Sequence, residues 1–344
     1  MRKKSISLSP SLTAKIIKFL WLGFLFGLLG FILFVLAVSV NFLGLFGEIP
    51  EFKSLENPET ELASELYSSD GVLLGNYYRE NRTPVSYNEL SHNLVNALVA
   101  TEDVRFENHS GIDLRGMGRV LVKSLLLGQS SGGGSTLSQQ TAKNLFKTRS
   151  GASQGVLSNI PGLGMLIIKT KEWIVATRLE RAYTKNEILT MYLNTSEFGS
   201  NAYGIKTAAK TFFNKEPNEL NIQESATLVG LFKAPSYYSP VYNPENSIGR
   251  RNVVLSQLAK YGYITPSQYD SISQMPLDLE YSVASHNKGL ATYFREVVKA
   301  DLIKWTQENL KPDGTPYDLY GDGLRIFTTI DSRLQRYAEE AVQE

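Results

Sequence analysis

The sequence predicts a mainly α-helical domain carried behind one membrane-spanning helix. Three observations predict it. Phe19 to Val40 holds 22 residues without a charge. From Tyr87 to about Leu277 apolar residues recur at helical spacing. Strand-like alternation is confined to two short stretches, one around Asp70-Gly71 and one near the C-terminus.

The 344 residues suit about two domains, or one domain with attachments. A net charge of +1 gives no reason to expect nucleic acid, which a clustered basic surface would suggest. There is no cysteine, so disulfides and thiolate metal sites are excluded. The three histidines, His92, His109 and His286, lie far apart, and an imidazole-rich zinc site is not expected.

The uncharged run matches the roughly 20 residues a helix needs to cross a bilayer. Arg2, Lys3, Lys4, Lys15 and Lys18 precede it, and the next charges are Glu48 and Glu51. Positive flanks stay in the cytoplasm. Residues 1–18 are therefore expected inside, 19–45 as a single-pass anchor in the cytoplasmic (inner) membrane, and the remainder on its outer, periplasmic face. A cleaved signal peptide is the rival reading, but its apolar core would be about 7–15 residues long.

Residues 46–80 read as a stalk with a small hairpin, turned at Asp70-Gly71 in "SSDGVLLGNYY". Residues 81–277 form the helical block. "NELSHNLVNALVATED" places Leu90, Leu94 and Leu98 on one face, with Val95 beside them. "IGRRNVVLSQLAKYGYIT" reads as a long helix ending near Gly262. In "YTKNEILTMYLN", Thr184 and Glu187 have the spacing of a capping box. "GQSSGGG" breaks the block as a loop. "GASQGVLSNIPGLGMLII" is a second break, apolar enough either to dip into lipid or to pack on its own domain. Residues 278–344 alternate briefly and then run as a helix to the last residue, which reads as a linker cut short.

"ATEDVRFENHSGID" poses the functional question. Taken alone, Glu102-Asp103 after an apolar run is usually a solvated helix end. Its company changes that. "GGSTLSQQTAKNLF", "KTKEW", "YTKNEILTMYLN", "FGSNAYGIKTAAKTFF" and "LVGLFKAPSYYSPVYNPENSIGRRNVVL" follow it in order. Together these stretches resemble the motifs of the family 51 glycosyltransferases, the peptidoglycan-polymerising domains of class A penicillin-binding proteins and monofunctional transglycosylases. The resemblance runs from about Glu61 to Thr265.

The resemblance implies a lysozyme-like, mainly α fold and an enzyme that joins lipid II units with release of undecaprenyl pyrophosphate. It implies Glu102 as the base on the attacking 4-hydroxyl, a role that suits a positioned carboxylate. Asp103 is expected to orient neighbours, Phe106 to be core, and His109 to act as a hydrogen-bonding wedge. Ser135, Thr136, Gln139, Gln140 and Lys143 are implied to receive the pyrophosphate, with Ser135 or Thr136 also capping their helix. The second family acid falls at Glu172, with Lys169 at the lysine position. Ile168 stands where the family has arginine, and Lys171 is the nearby substitute. Arg149 is a further basic candidate. Glu172 has three open roles: holding a divalent cation (Mg or Mn), holding a basic group, or positioning the acceptor. In "YTKNEILTMYLN" most residues build the fold, and Lys185 and Asn194 are the site candidates.

Partners implied are lipid II, the growing glycan chain, membrane lipid and other cell-wall synthesis proteins, with no nucleic acid. The rival functions are a lysozyme-like glycan-cleaving enzyme and an inactive membrane-anchored scaffold. "GLRIFTTIDSRLQRYAEEAV" resembles the linker into the transpeptidase domain of class A enzymes. Ser285-His286-Asn287-Lys288 fits Ser-x-x-Lys by spacing, but it precedes that linker and lacks the later motifs, so it is read as coincidence.

Overall fold

The computed structural model describes residues 10–49, 63–77, 83–127, 133–146, 154–282 and 289–343. Arg149, Ser285 to Lys288 and most of the "GQSSGGG" loop fall outside them. The elements, in order, are α1 (Pro10–Ser39), β1 (Ser64–Tyr67), β2 (Leu73–Tyr77), α2 (His92–Glu102), α3 (Leu114–Leu127), α4 (Leu137–Phe146), α5 (Leu163–Ala182), α6 (Lys185–Thr195), α7 (Ile205–Phe213), α8 (Ile222–Leu231), α9 (Pro244–Lys260), α10 (Pro266–Ser273), α11 (Thr292–Glu308), β3 (Arg325–Phe327) and α12 (Ser332–Gln343). The expected mainly α fold with a small β element is observed.

The chain divides into two compact units, residues 1–51 with 146–175, and residues 52–145 with 176–344. The first unit holds α1. Its 30 residues expose Phe19, Trp21, Phe24 and Phe26 on several faces, so it is apolar all round and not striped like a core helix. It is long and apolar enough to cross a membrane. It begins earlier than the charge-free run, at Pro10, because Lys15 and Lys18 do not interrupt helical hydrogen bonding. It stops at Ser39, and Asn41 then turns left-handed at φ 46°. Val38, Phe46 and Ile167 form this unit's own small core.

The core of the second unit is built on α8. Every residue from Glu224 to Leu231 is buried: "SATLVGL" is small or apolar on all sides, and the Glu224 carboxylate pairs with Lys215 at 2.7 Å. α2 and α9 pack against it. Leu94, Leu98, Leu228, Val254 and Leu255 are fully buried there. The capping box predicted at α6 is present, with Thr184 Oγ1 accepting from Glu187 N and Glu187 accepting from Thr184 N. α9 ends at Lys260, and Gly262 follows at φ 79°.

The hairpin is also present. β1 and β2 pair antiparallel from Ser64 opposite Tyr77, turning at Asp70 and Gly71. β3 adds to β1 in parallel, Glu65 opposite Arg325. Asp70 accepts from Ser332 N at 2.9 Å and from its hydroxyl at 2.6 Å, so it caps the start of α12. These Ser332 hydrogen bonds hold the Asp70 carboxyl far below the usual range.

Candidate functional site

Glu102 is the last residue of α2. Ser91 caps the other end, its hydroxyl accepting from Leu94 N. Leu94, Ala97 and Leu98 bury one face of the helix and fix its axis. The helix stops because Asp103 leaves helical geometry (φ −157°, ψ 75°). The Asp103 carboxylate is buried, accepts from Leu137 N at 3.0 Å and meets His109 Nε2 at 2.9 Å. An acid at the N-terminus of α4 is favourably placed against that helix's dipole. Asp103 thus ties the residue after Glu102 to the start of α4.

The loop that follows is bolted at several points. His109 Nδ1 accepts from Gly111 N at 3.3 Å, which puts the ring proton on Nε2 for donation to Asp103. Lys185 Nζ donates to the His109 carbonyl at 2.7 Å, pairs with Glu180 at 2.8 Å and lies 4.3 Å over the buried Phe106 ring. Gly111 sits at φ 90°, where a Cβ would meet the Ala176 carbonyl carbon at 2.8 Å. Thr136 Oγ1 and Gln139 Nε2 both donate to the Gly111 carbonyl, at 2.7 and 3.1 Å. Thr136 also caps α4, accepting from Gln139 N at 3.2 Å.

Glu102, half-buried, opens onto a cavity of about 600 Å³. Asp103, Ser135 and Thr136 share its wall. Five cations do so too: Arg105, Arg119, Lys233, Arg250 and Lys260. Arg105 pairs with Asp113. Burial works to raise the Asp113 carboxyl, but hydrogen bonds from Arg105 and Gly116 outweigh it and hold it below the usual range. Lys233 and Arg250 flank the Tyr238 ring at 5.8 and 5.9 Å. Among the described residues neither meets a carboxylate at ion-pair distance, and the buried Arg250 Nε has no hydrogen-bond partner. Two unneutralised cations beside a cavity favour an anion there.

The residues predicted from sequence thus separate. Glu102, Asp103, Ser135 and Thr136 line the cavity. Gln139 and Thr136 spend their side chains on Gly111. Gln140 donates from Nε2 to Glu102 Oε2 at 3.1 Å. Lys143 is exposed on α4, one turn beyond the buried Gln139. Asn194 accepts from Val85 N at 3.1 Å and donates to Val85 O at 2.9 Å, so it pins the chain ahead of α2. Sequence reasoning gave Arg119, Lys233, Arg250 and Lys260 no role. A signal for the last two was available: Arg250, Val253, Gln257 and Lys260 follow helical spacing along α9 and line the cavity as one stripe.

Lys169, Lys171 and Glu172 belong to the first unit. Lys169 Nζ meets the buried Glu172 carboxylate at 2.6 Å. Lys171 is buried and donates to the Glu48 carbonyl at 3.0 Å, strapping α5 to the segment after α1. Mg or Mn needs oxygen donors, and the Glu172 carboxylate already carries Lys169. Among the described residues no group of three His, Asp or Glu side chains gathers. A Glu172 carboxylate so paired does not fit a resident metal.

Burial lowers Lys171 to about 8 from 10.5. Between those values the folded lysine is neutral while the unfolded one is still charged. The unfolded state then binds more protons, so stability rises with pH across that window. Lys171→Met is expected to flatten this rise. Thermal midpoints of both proteins on either side of the window check it, and identical profiles contradict it.

Comparison with known proteins bears on this arrangement. A family model described as transglycosylase matches residues 70–259. Penicillin-binding protein 1A of Escherichia coli (strain K12) is 34% identical over 296 residues, 86% of this chain and 32% of that protein. Penicillin-binding protein 1A of Aquifex aeolicus (strain VF5) is 35% identical over 320 residues, 92% of this chain and 40% of that protein. The 2.6 Å crystal structure of penicillin-binding protein 1A from Haemophilus influenzae matches 82% of this chain and 29% of its own at 25% identity, with a TM-score of 0.44. The chain spans between 32% and 40% of the length of those two curated relatives. The family match covers Glu102, the cavity lining from Ala100 to Gln257 and every element from α2 to α8, and the chain belongs to the transglycosylase family of peptidoglycan glycosyltransferases.

Proposed function

We propose that this chain polymerises lipid II on the outer face of the cytoplasmic membrane, with Glu102 as general base. The observation that carries this reading is Glu102 itself, half-buried on the wall of a cation-lined cavity and, among the described residues, pairing with no cation. Glu102 takes the proton from the 4-hydroxyl of one unit. The oxygen attacks the anomeric carbon of the growing chain, and the bond from that carbon to the pyrophosphate oxygen breaks. Undecaprenyl pyrophosphate leaves with the electron pair, and the anomeric carbon inverts.

Charge builds on the departing oxygens, and preorganised cations stabilise such charge strongly where water is excluded. Lys233 and Arg250 are suited to receive it, as is Lys143 by family resemblance. Ser135 lines the same cavity as Lys233 and Arg250. Of the three roles the resemblance leaves open for Glu172, its pairing with Lys169 favours holding a basic group. α1 anchors the chain with its N-terminus inside, and the positive N-terminal flank supports that orientation. Lipid II and the glycan chain are the substrates, and membrane lipid surrounds α1.

Product analysis tests this reading. The detergent-solubilised chain is incubated with lipid II and, separately, with finished glycan. Long glycan strands and free undecaprenyl pyrophosphate are expected from the first, and no change in the second. Untouched lipid II together with short soluble sugars cut from finished glycan would establish the lytic reading instead.

A further inference from the structure

We propose that Tyr192 and Gln140 form a positioning pair for Glu102, in which the phenol fixes the orientation of the Gln140 amide and the amide fixes the carboxylate. The proposal rests on the reading of Glu102 as general base. An ionised carboxylate only accepts hydrogen bonds. Gln140 must therefore turn its NH2 group toward Glu102 Oε2, which it does at 3.1 Å. Its carbonyl then points the other way, where the Tyr192 hydroxyl donates to it at 3.2 Å.

The phenol is well placed for this. Tyr192 lies on α6 and is 2% exposed. Its ring meets Phe232, a cavity residue, edge to face at 5.1 Å. Burial first, and the Glu102 charge second, push its hydroxyl well above the usual tyrosine value, so it remains a neutral donor. The three groups come from α2, α4 and α6, so their alignment depends on the packing of three helices. With Oε2 held, Oε1 is left for the incoming hydroxyl.

Other charged groups face Glu102 across the cavity. Asp103 and Arg105 come from the loop after α2, and Asp113 and Arg119 from the start of α3. Lys233 follows α8, while Arg250 and Lys260 come from α9. Asp103 is committed to His109 and Leu137, and Asp113 to Arg105. Among the described residues Gln140 is the one side chain hydrogen-bonded to Glu102.

The experiment compares wild type, Tyr192→Phe, Gln140→Ala and the double variant, each as the full chain with its thermal midpoint recorded. Lipid II polymerisation is followed against substrate concentration. Tyr192→Phe is expected to lower kcat about tenfold with KM little changed. In the Gln140→Ala background the same change is expected to cost nothing further, because Tyr192 acts through Gln140. An unchanged kcat in Tyr192→Phe would overturn the proposal. So would an equal tenfold loss in both backgrounds.

A substrate-free arm separates this proposal from the function it rests on. The side-chain NH2 resonances of Gln140 are followed by nitrogen-15 NMR in wild type, Tyr192→Phe and Glu102→Ala. Movement of these resonances in both variants supports the pair even where no protein polymerises lipid II, in which case only the functional reading fails. Unmoved resonances overturn the pair even where polymerisation is normal.

Discussion

Glu102→Gln is expected to lose lipid II polymerisation by a factor of about 10²–10⁴, the usual contribution of a positioned general base. The substitution keeps size and shape but removes the group that takes the proton. The fold should be indifferent to it. Glu102 is half-buried, pairs with no cation among the described residues and accepts one side-chain hydrogen bond, from Gln140. An amide oxygen can accept the same bond. Initial rates and thermal midpoints of both proteins check the two halves together. Polymerisation at the wild-type rate removes Glu102 from the mechanism, whereas a large drop in midpoint would show that its role is structural.

Gly111→Val is expected to destabilise the second unit by about 2–4 kcal/mol, a fall in Tm on the order of 10 °C. Two costs combine. At φ 90° a β-branched residue is strained. Its Cβ would also sit 2.8 Å from the Ala176 carbonyl carbon and 3.0 Å from Thr177 N, and backbone cannot swing aside as a side-chain tip can. The damage reaches the site because the Gly111 carbonyl receives both Thr136 and Gln139. Displacing it loosens the cap of α4 and with it Gln140, the neighbour of Glu102. Activity should therefore fall together with stability. Thermal unfolding of Gly111→Val at the wild-type midpoint would contradict the close packing described for this loop.

Local features were legible in the sequence. The 22 uncharged residues mark α1 by composition alone. Thr184 and Glu187 announce the α6 cap because both partners lie within one turn. Asp70-Gly71 announces the hairpin because the turn needs a positive φ, found at Gly71 (φ 78°). The parallel pairing of β3 with β1 left no such mark, since Glu65 and Arg325 meet only after the intervening chain has folded.

The site divides in the same way. Glu102 was singled out by motif order. The division of labour within "QQ" was not, because adjacent residues on a helix point about 100° apart, and only the packed structure shows Gln139 on Gly111 and Gln140 on Glu102. Arg250 and Arg251 repeat the lesson. The first lines the cavity, while the second is fully buried and donates to Ser273 O at 3.0 Å. Arg250 and Lys260 share α9, but Arg105, Arg119 and Lys233 come from elsewhere in the chain, so no single window of sequence displays all five cavity cations together.

The central claim is that Glu102 removes a proton and does not itself attack the sugar. The configuration of the anomeric carbon in the product, determined by NMR on glycan made by this chain, tests this most directly. A base-assisted single displacement predicts inversion relative to lipid II and no sugar attached to the protein. Retention of configuration, with a glycosyl adduct found on Glu102 by mass spectrometry, would contradict the account.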